Sequence, residues 1–239
     1  GCMRFWNFVQ NDAGEPELRI SGEIVDDGDA WLYEWFGIPS ASPNKFRKEL
    51  AKHAGKDITV WIDSPGGDVF AGAGIYTALM EHKGTVTVKI DGKAFSAASI
   101  IAMAGGEVLM SPPSLMLIHN PWSEVRGDSK DMRHVADLLD EVKEAIMNAY
   151  IIKTGLRREE ISELMDQETP MSPKTAIQKG FADGMLYSEA DEAVKDYILN
   201  TYRPRILNSW DLSIAKAIRL KQSLGETPEN VRVLNKKRI

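Results

Sequence analysis

An α/β fold built on a parallel sheet is what this sequence predicts, and three observations carry the prediction. Two period-2 apolar runs, Asp57–Ile62 (DITVWI) and Thr85–Ile90 (TVTVKI), read as strands. Each is followed by a turn cluster, Asp63-Ser64-Pro65-Gly66-Gly67 or Asp91-Gly92, and then by an Ala-rich stretch of helical character, Ala71–Glu81 or Ser96–Ala104. Strand, helix, strand, turn, helix is the order that parallel pairing imposes. Finally, 43% of the 239 residues are hydrophobic, enough to bury the core of one large domain, or of one domain with an appendage.

The elements follow in chain order. Residues 4–11 (RFWNFVQN) are predicted as a first strand, Asn11–Pro16 as a turn and Leu18–Val25 as a second strand. Asp26–Ser40 reads as irregular, and its Trp31, Trp35 and Phe36 are expected to find cover against another subunit. Ser42-Pro43 starts a helix as N-cap and first-turn proline, with Phe46, Leu50 and Ala54 on one face up to Gly55. Beyond Gly105-Gly106, two short strands, Val108–Met110 and Leu115–Ile118, flank Pro112-Pro113, and 123–130 reads as a polar loop. A long amphipathic helix spans Asp131–Lys153, apolar at Val135, Leu138, Leu139, Val142, Ile146, Ala149 and Tyr150. Arg158–Met165 and Ser172–Lys179 are short helices, the latter closed by Gly180. Past Leu186 the texture changes: Glu189–Leu199 and Asp211–Leu224 read as helices and Gly225–Ile239 as a frayed tail. The expected organisation is an N-terminal segment (1–17), a main domain (18–186) and a helical appendage with tail (187–239).

Composition narrows function. A net charge of −6 argues against nucleic acid as the main partner. No apolar run reaches membrane-spanning length, and the basic-then-apolar layout of a signal peptide is missing, so a cytoplasmic setting is expected. The one cysteine, Cys2, precedes Met3, which reads as a natural start, and receives no role. The sequence has no GxxxxGK[ST] phosphate loop, no HExxH and no CxxC, so ATP hydrolysis, a metal and a cofactor are not expected of this chain.

The residues that could carry chemistry cluster at predicted strand ends. Ser96 opens a helix directly after a strand, where the free N–H of Ala97 could face a developing oxyanion, although a plain N-cap is the simpler role for the serine alone. Gly66-Gly67 ends the preceding strand, and glycine there permits close backbone approach. Adjacent turns at one end of a parallel sheet are where such folds place their sites. His119 ends the run LMLIH and is a general-base candidate, whereas His53, His82 and His134 read as solvent-facing. A third, acidic member is needed to orient the imidazole. Asp166 and Glu168 lie in a connection between two short helices, with Asp183 and Asp63 also open.

On these residues the sequence resembles the Clp-type serine peptidase family, with the texture of its phage and prophage members. The matching motifs, in consistent order, are DSPGGDVFAG (63–72), VKIDGKAFSAAS (88–99) with IAMAG (101–105), MLIHNPW (116–122), the long helix, and ETPMSPKTAIQKGFAD (168–183). The resemblance implies a crotonase-like spiral of ββα units with a long protruding helix. It further implies Ser96 as nucleophile, His119 as base, Glu168 as acid with Asp166 as alternative, and an oxyanion hole from Gly67 and Ala97. Gly66, Arg126 and Gly127 would edge the peptide substrate. The implied assembly is a homo-oligomeric ring, a heptamer or stacked heptamers, acting on protein or peptide substrates. A separate AAA+ unfoldase, or phage capsid or scaffold proteins, would be the partners. Two departures stand out: Phe95 where the family usually has a small residue, and Glu168 where it usually has aspartate. Three rival readings are weighed: a signal-peptide-peptidase-like enzyme with Lys93 as base, a non-catalytic component of a phage head, and an acyl-CoA-binding crotonase relative.

Overall fold

The computed structural model describes residues 9–10 and 16–187, with side chains from Pro16 onward. In chain order the elements are β1 (Val9–Gln10), β2 (Pro16–Ile24), α1 (Ala30–Phe36), β3 (Ser40–Ala41), α2 (Pro43–Ala51), β4 (Ile58–Gly67), α3 (Val69–Met80), β5 (Val86–Phe95), α4 (Ala97–Ala102), β6 (Glu107–Met110), β7 (Leu115–Ile118), α5 (Ser129–Thr154), α6 (Arg158–Asp166), β8 (Thr169–Met171), α7 (Pro173–Gln178) and β9 (Gly184–Met185). The helices predicted beyond residue 186 lie outside the described residues. Among those described, no helix is long and apolar enough to cross a membrane.

The sheet runs β1-β2-β4-β5-β6-β9, and every pair in it is parallel except the β1–β2 edge. Parallel central strands are covered on both faces, which explains why their inward residues are apolar and fully enclosed: Ile20, Ile62, Ile90 and Met110 are each 0% exposed. Helix α4 fills the space between strands and the rest of the core, and all six of its residues are buried. Its small side chains let α3 close in, since a Cβ on Gly72 would come within 3.0 Å of Ala97 Cβ. Helix α5 divides into two halves. Val142, Ile146, Met147, Ala149 and Tyr150 are buried, whereas its N-terminal half buries nothing and leaves Met132 and Leu138 about half exposed.

Two local expectations are corrected. Residues 30–36 form a helix rather than irregular chain, closed by Gly37 in the left-handed conformation. It has no acidic residue in its first turn and no basic residue in its last, so the helix signal is weak in sequence. Trp35 and Phe36 stack edge to face at 4.6 Å while Trp31 stays half exposed.

The second correction has consequences for the site. Asp91-Gly92 is not a turn, because β5 runs straight through it. The register steps from Ile62↔Ile90 to Ser64↔Ala94, so β5 carries extra residues there as a bulge. Asp63 clamps that bulge by accepting from the Lys93 N–H and pairing with its ammonium, both at 3.2 Å. Gly92 is required, since a Cβ would meet Asp63 Oδ1 at 2.4 Å. The bulge also changes β5's neighbour: Thr87–Ile90 pair with β6, and Lys93–Phe95 pair with β7. Strand β7 in turn pairs antiparallel with β8.

Ile101 is fully enclosed in α4. Ile101→Ala is expected to lower unfolding stability by about 2–5 kcal/mol, and Met132→Ala on the exposed half of α5 by under about 0.5 kcal/mol, as read by urea denaturation.

Candidate active site

Ser96 sits between β5 and α4 with φ 54° and ψ −126°, a conformation that an L-residue occupies only under constraint. The constraint comes from both sides. The Ser96 N–H donates to Leu117 O (2.9 Å), extending the β5–β7 ladder by one residue. The Ser96 carbonyl accepts from the Ser99 N–H (2.9 Å), more weakly from the Ile100 N–H (3.4 Å), and from the Ser99 hydroxyl (2.6 Å). The serine is therefore not an ordinary N-cap, since its side chain makes no capping bond. A sharp, strained strand-to-helix turn lifts a serine side chain clear of the sheet end. The Ala97 N–H, first in the helix, has no carbonyl one turn behind it to bond.

Gly66 is pressed against this turn. A Cβ on it would meet Phe95 O at 2.6 Å, Ser96 Cβ at 2.7 Å and Ala97 N at 3.1 Å, and its φ is +95°. Gly67 has φ +142°, and a Cβ there would strike Ile24 O at 2.0 Å. The Gly66 N–H is already used: it donates to Ser64 Oγ (3.1 Å), which donates to Gly22 O (2.6 Å). Of the two glycines, Gly67 is thus the one whose amide is left to consider as a donor to substrate.

The strand registers bring the remaining candidates to the same edge. Phe95 pairs with Leu117, and Ile118 pairs with Thr169. One step beyond each paired set lie Ser96, His119 and Glu168, at the neighbouring ends of β5, β7 and β8. Ser96 and Glu168 are also two of only three non-glycine residues with positive φ among those described, Glu168 having φ 47°. Backbone strain of this kind gathers at functional positions. Ser96 and His119 are partly buried and Glu168 is exposed. Among the described residues no hydrogen bond joins Ser96 Oγ, the His119 ring and the Glu168 carboxylate, and catalytic hydrogen bonds commonly tighten only when substrate is bound.

Comparison with known proteins speaks to the whole of this region. The sequence model of one family, described as Clp protease, matches residues 49–189, which hold every element named above from the end of α2 to β9. The chain belongs to the Clp protease family. It is 31% identical over 192 residues to ATP-dependent Clp protease proteolytic subunit 2 of Parasynechococcus marenigrum, covering 78% of this chain and 96% of that protein. It is 31% identical over 182 residues to subunit 1 of Prochlorococcus marinus (74% and 92%), and 29% identical over 183 residues to the proteolytic subunit of Deinococcus radiodurans (74% and 89%). The fold is accordingly the mixed α/β, crotonase-like one.

Within this Clp fold the two acid candidates have different surroundings. Asp166 accepts from Lys143 Nζ (2.6 Å) and from Asn120 Nδ2 (2.8 Å). These bonds hold its carboxyl below the usual carboxylate range, Lys143 first and Asn120 second. Asp166 thus ties α6 to α5 and to the residue after His119. Glu168, one step beyond the Ile118↔Thr169 pair, makes no such side-chain bond among the described residues. Lys93, the rival base, is ion-paired with Asp63 at 3.2 Å. Arg126 and Gly127 lie in an exposed, irregular segment between β7 and α5. Gly127 packs on the α5 N-terminus, where Asp128 and Asp131 form a reciprocal capping box.

Sequence reasoning passed over Ser64, Ser99, Asn120, Lys143 and Tyr150. Ser99 and Ser64 carry a local signal, Ser99 one helical turn after Ser96 and Ser64 two residues before the Gly66 N–H that it accepts from. The others act through tertiary contacts.

Because the Asp166 carboxyl titrates low in the folded chain, its stabilising contribution is present above the ordinary carboxylate pKa of about 3.9 and is lost as pH falls through the lowered value. NMR titration should place it below the ordinary aspartate value, and Lys143→Ala should move it upward.

Proposed function

We propose that this chain is a serine endopeptidase in which Ser96, His119 and Glu168 form the catalytic triad. The observation that carries the reading is the shared strand-end edge: a serine held in a strained left-handed turn, with a histidine and a glutamate next along the adjacent ladders. In this mechanism Ser96 Oγ attacks the scissile carbonyl carbon while His119 accepts its proton. Negative charge develops on the carbonyl oxygen, and the Gly67 and Ala97 N–H groups stabilise it. Collapse of the tetrahedral intermediate breaks the C–N bond, His119 protonates the leaving amine, and an acyl-enzyme remains. Water, deprotonated by His119, then releases the acid product and restores Ser96. Glu168 holds the imidazole tautomer and offsets its positive charge.

The relatives are named as proteolytic subunits of an ATP-dependent protease, and this sequence has no phosphate-binding loop of its own. This supports a ring of identical chains that receives protein substrates from a separate AAA+ unfoldase. The exposed apolar residues on the free half of α5, Met132 and Leu138, favour helix-mediated contact between copies. Capsid or scaffold proteins of a phage are the substrate class that the motif texture favours.

Fluorophosphonate labelling with mass mapping tests the reading. Modification is expected at Ser96 and is expected to vanish in Ser96→Ala. His119→Ala should lower peptide turnover by at least about a thousandfold, and Glu168→Gln should cost far more than Asp166→Asn. Labelling elsewhere, or none, would overturn it.

A further inference from the structure

Tyr150 is the largest fully buried side chain with a polar tip among the described residues, and nothing in the mechanism above uses it. It sits on the buried half of α5, with its ring tilted against Phe181 at 5.8 Å. Its hydroxyl lies 2.8 Å from Ser99 Oγ, and Ser99 is itself fully enclosed. The direction of this bond follows from the next one. Ser99 has a single hydroxyl proton, and that proton goes to Ser96 O, which can only accept, at 2.6 Å. Tyr150 must therefore donate to Ser99. Burial holds the phenol well above its ordinary pKa, so its proton is always available.

The acceptor at the end of this chain belongs to a planar trans peptide, whose other end is the Ala97 N–H. Fixing the carbonyl inside the protein fixes the N–H pointing the opposite way, out of the buried end of α4. Donation into the carbonyl also polarises the amide, because linked hydrogen bonds strengthen one another in a low-dielectric interior. The hydroxyl bond adds to the backbone bonds that hold the strained Ser96 on both sides.

We propose that Tyr150 and Ser99 are positioning residues of the peptidase site: a buried O–H to O–H to carbonyl relay from α5 that aims and polarises the Ala97 N–H toward the oxyanion. The proposal rests on the peptidase reading for its chemical consequence, but not for the relay itself. It ties the nucleophile turn to the long helix, so a disturbance of α5 reaches the oxyanion donor directly. Neither residue touches substrate, and both act on the transition state rather than on binding.

Fluorophosphonate inactivation kinetics of the full chain and its variants provide the test. Tyr150→Phe and Ser99→Ala are each expected to lower the maximal inactivation rate at Ser96 about tenfold, with the half-saturating probe concentration unchanged. Ser99→Ala leaves the Tyr150 hydroxyl buried without a partner and should lower Tm. Adding Tyr150→Phe to it removes the orphan, so Tm should recover while the rate stays low. Rates that follow Tm across the three variants, or that do not change, would overturn the relay. Amide hydrogen exchange at residues 97–100 decides separately: faster exchange there, with the β-ladders still protected, supports the relay, and unchanged exchange overturns it. A wild-type chain that exchanges as expected but is not modified at Ser96 would sink the peptidase reading and leave the relay standing.

Discussion

One backbone conformation governs this structure: Ser96 with φ 54° and ψ −126°. A conformation of this kind costs on the order of 1–3 kcal/mol and persists only where surrounding bonds overdetermine it. Here the strand ladder holds the amide side through Leu117 O, and α4 holds the carbonyl side through Ser99. Much of the neighbouring sequence is a consequence. Residue 66 must lack a side chain because Ser96 and Ala97 occupy that space, and Ser64 must be a small hydroxyl residue to tie the same turn to Gly22. Helix α4 is built from small and aliphatic residues because all of it is enclosed.

The bulge at Asp91–Lys93 is the second device, and it works at a larger scale. A strand that kept β6 as its neighbour to the end would leave Ser96 beside the β6–β7 connection. By adding residues and changing partner, β5 instead finishes against β7, which itself finishes beside the start of β8. Three strand ends then coincide, one each for the serine, the histidine and the glutamate. Asp63 and Gly92 make the detour possible, one by clamping the bulge and the other by leaving room for the clamp. The Asp63–Lys93 pair therefore has a structural assignment.

The long helix α5 joins these local features to the rest of the molecule. Its C-terminal half is core, supplying Tyr150 to Ser99, while Lys143 reaches Asp166 beside the His119 turn. Its N-terminal half has no partner within the described chain and begins with a strong reciprocal cap, which is what a helix needs to hold its end without tertiary cover. The helix thus has one half in contact with the Ser96–Ser99 turn and the other uncovered among the described residues.

Much of this was readable in the sequence. The strand and helix alternation, the near-complete span of α5, and the grouping of Gly66-Gly67, Ser96 and His119 at strand ends all follow from periodicity and turn chemistry, which are local properties. Helix α1 was missed because seven residues with no acidic first turn and no basic last turn carry little helical signal. The Asp91-Gly92 pair was misread as a turn because the residues that turn it into a bulge, Asp63 above all, lie on another strand. Residue type and spacing alone leave Glu168 and Asp166 open, two acids in one connection; the family resemblance favours Glu168, and the β7–β8 register and the Lys143 and Asn120 bonds give the two different places. The chain by itself determined which residues could do chemistry, since that depends on residue type and local order. Tertiary structure alone decided which of them share an edge and what holds the Ser96 turn in its strained form, because register, bulges and buried hydrogen bonds are set between segments distant along the chain.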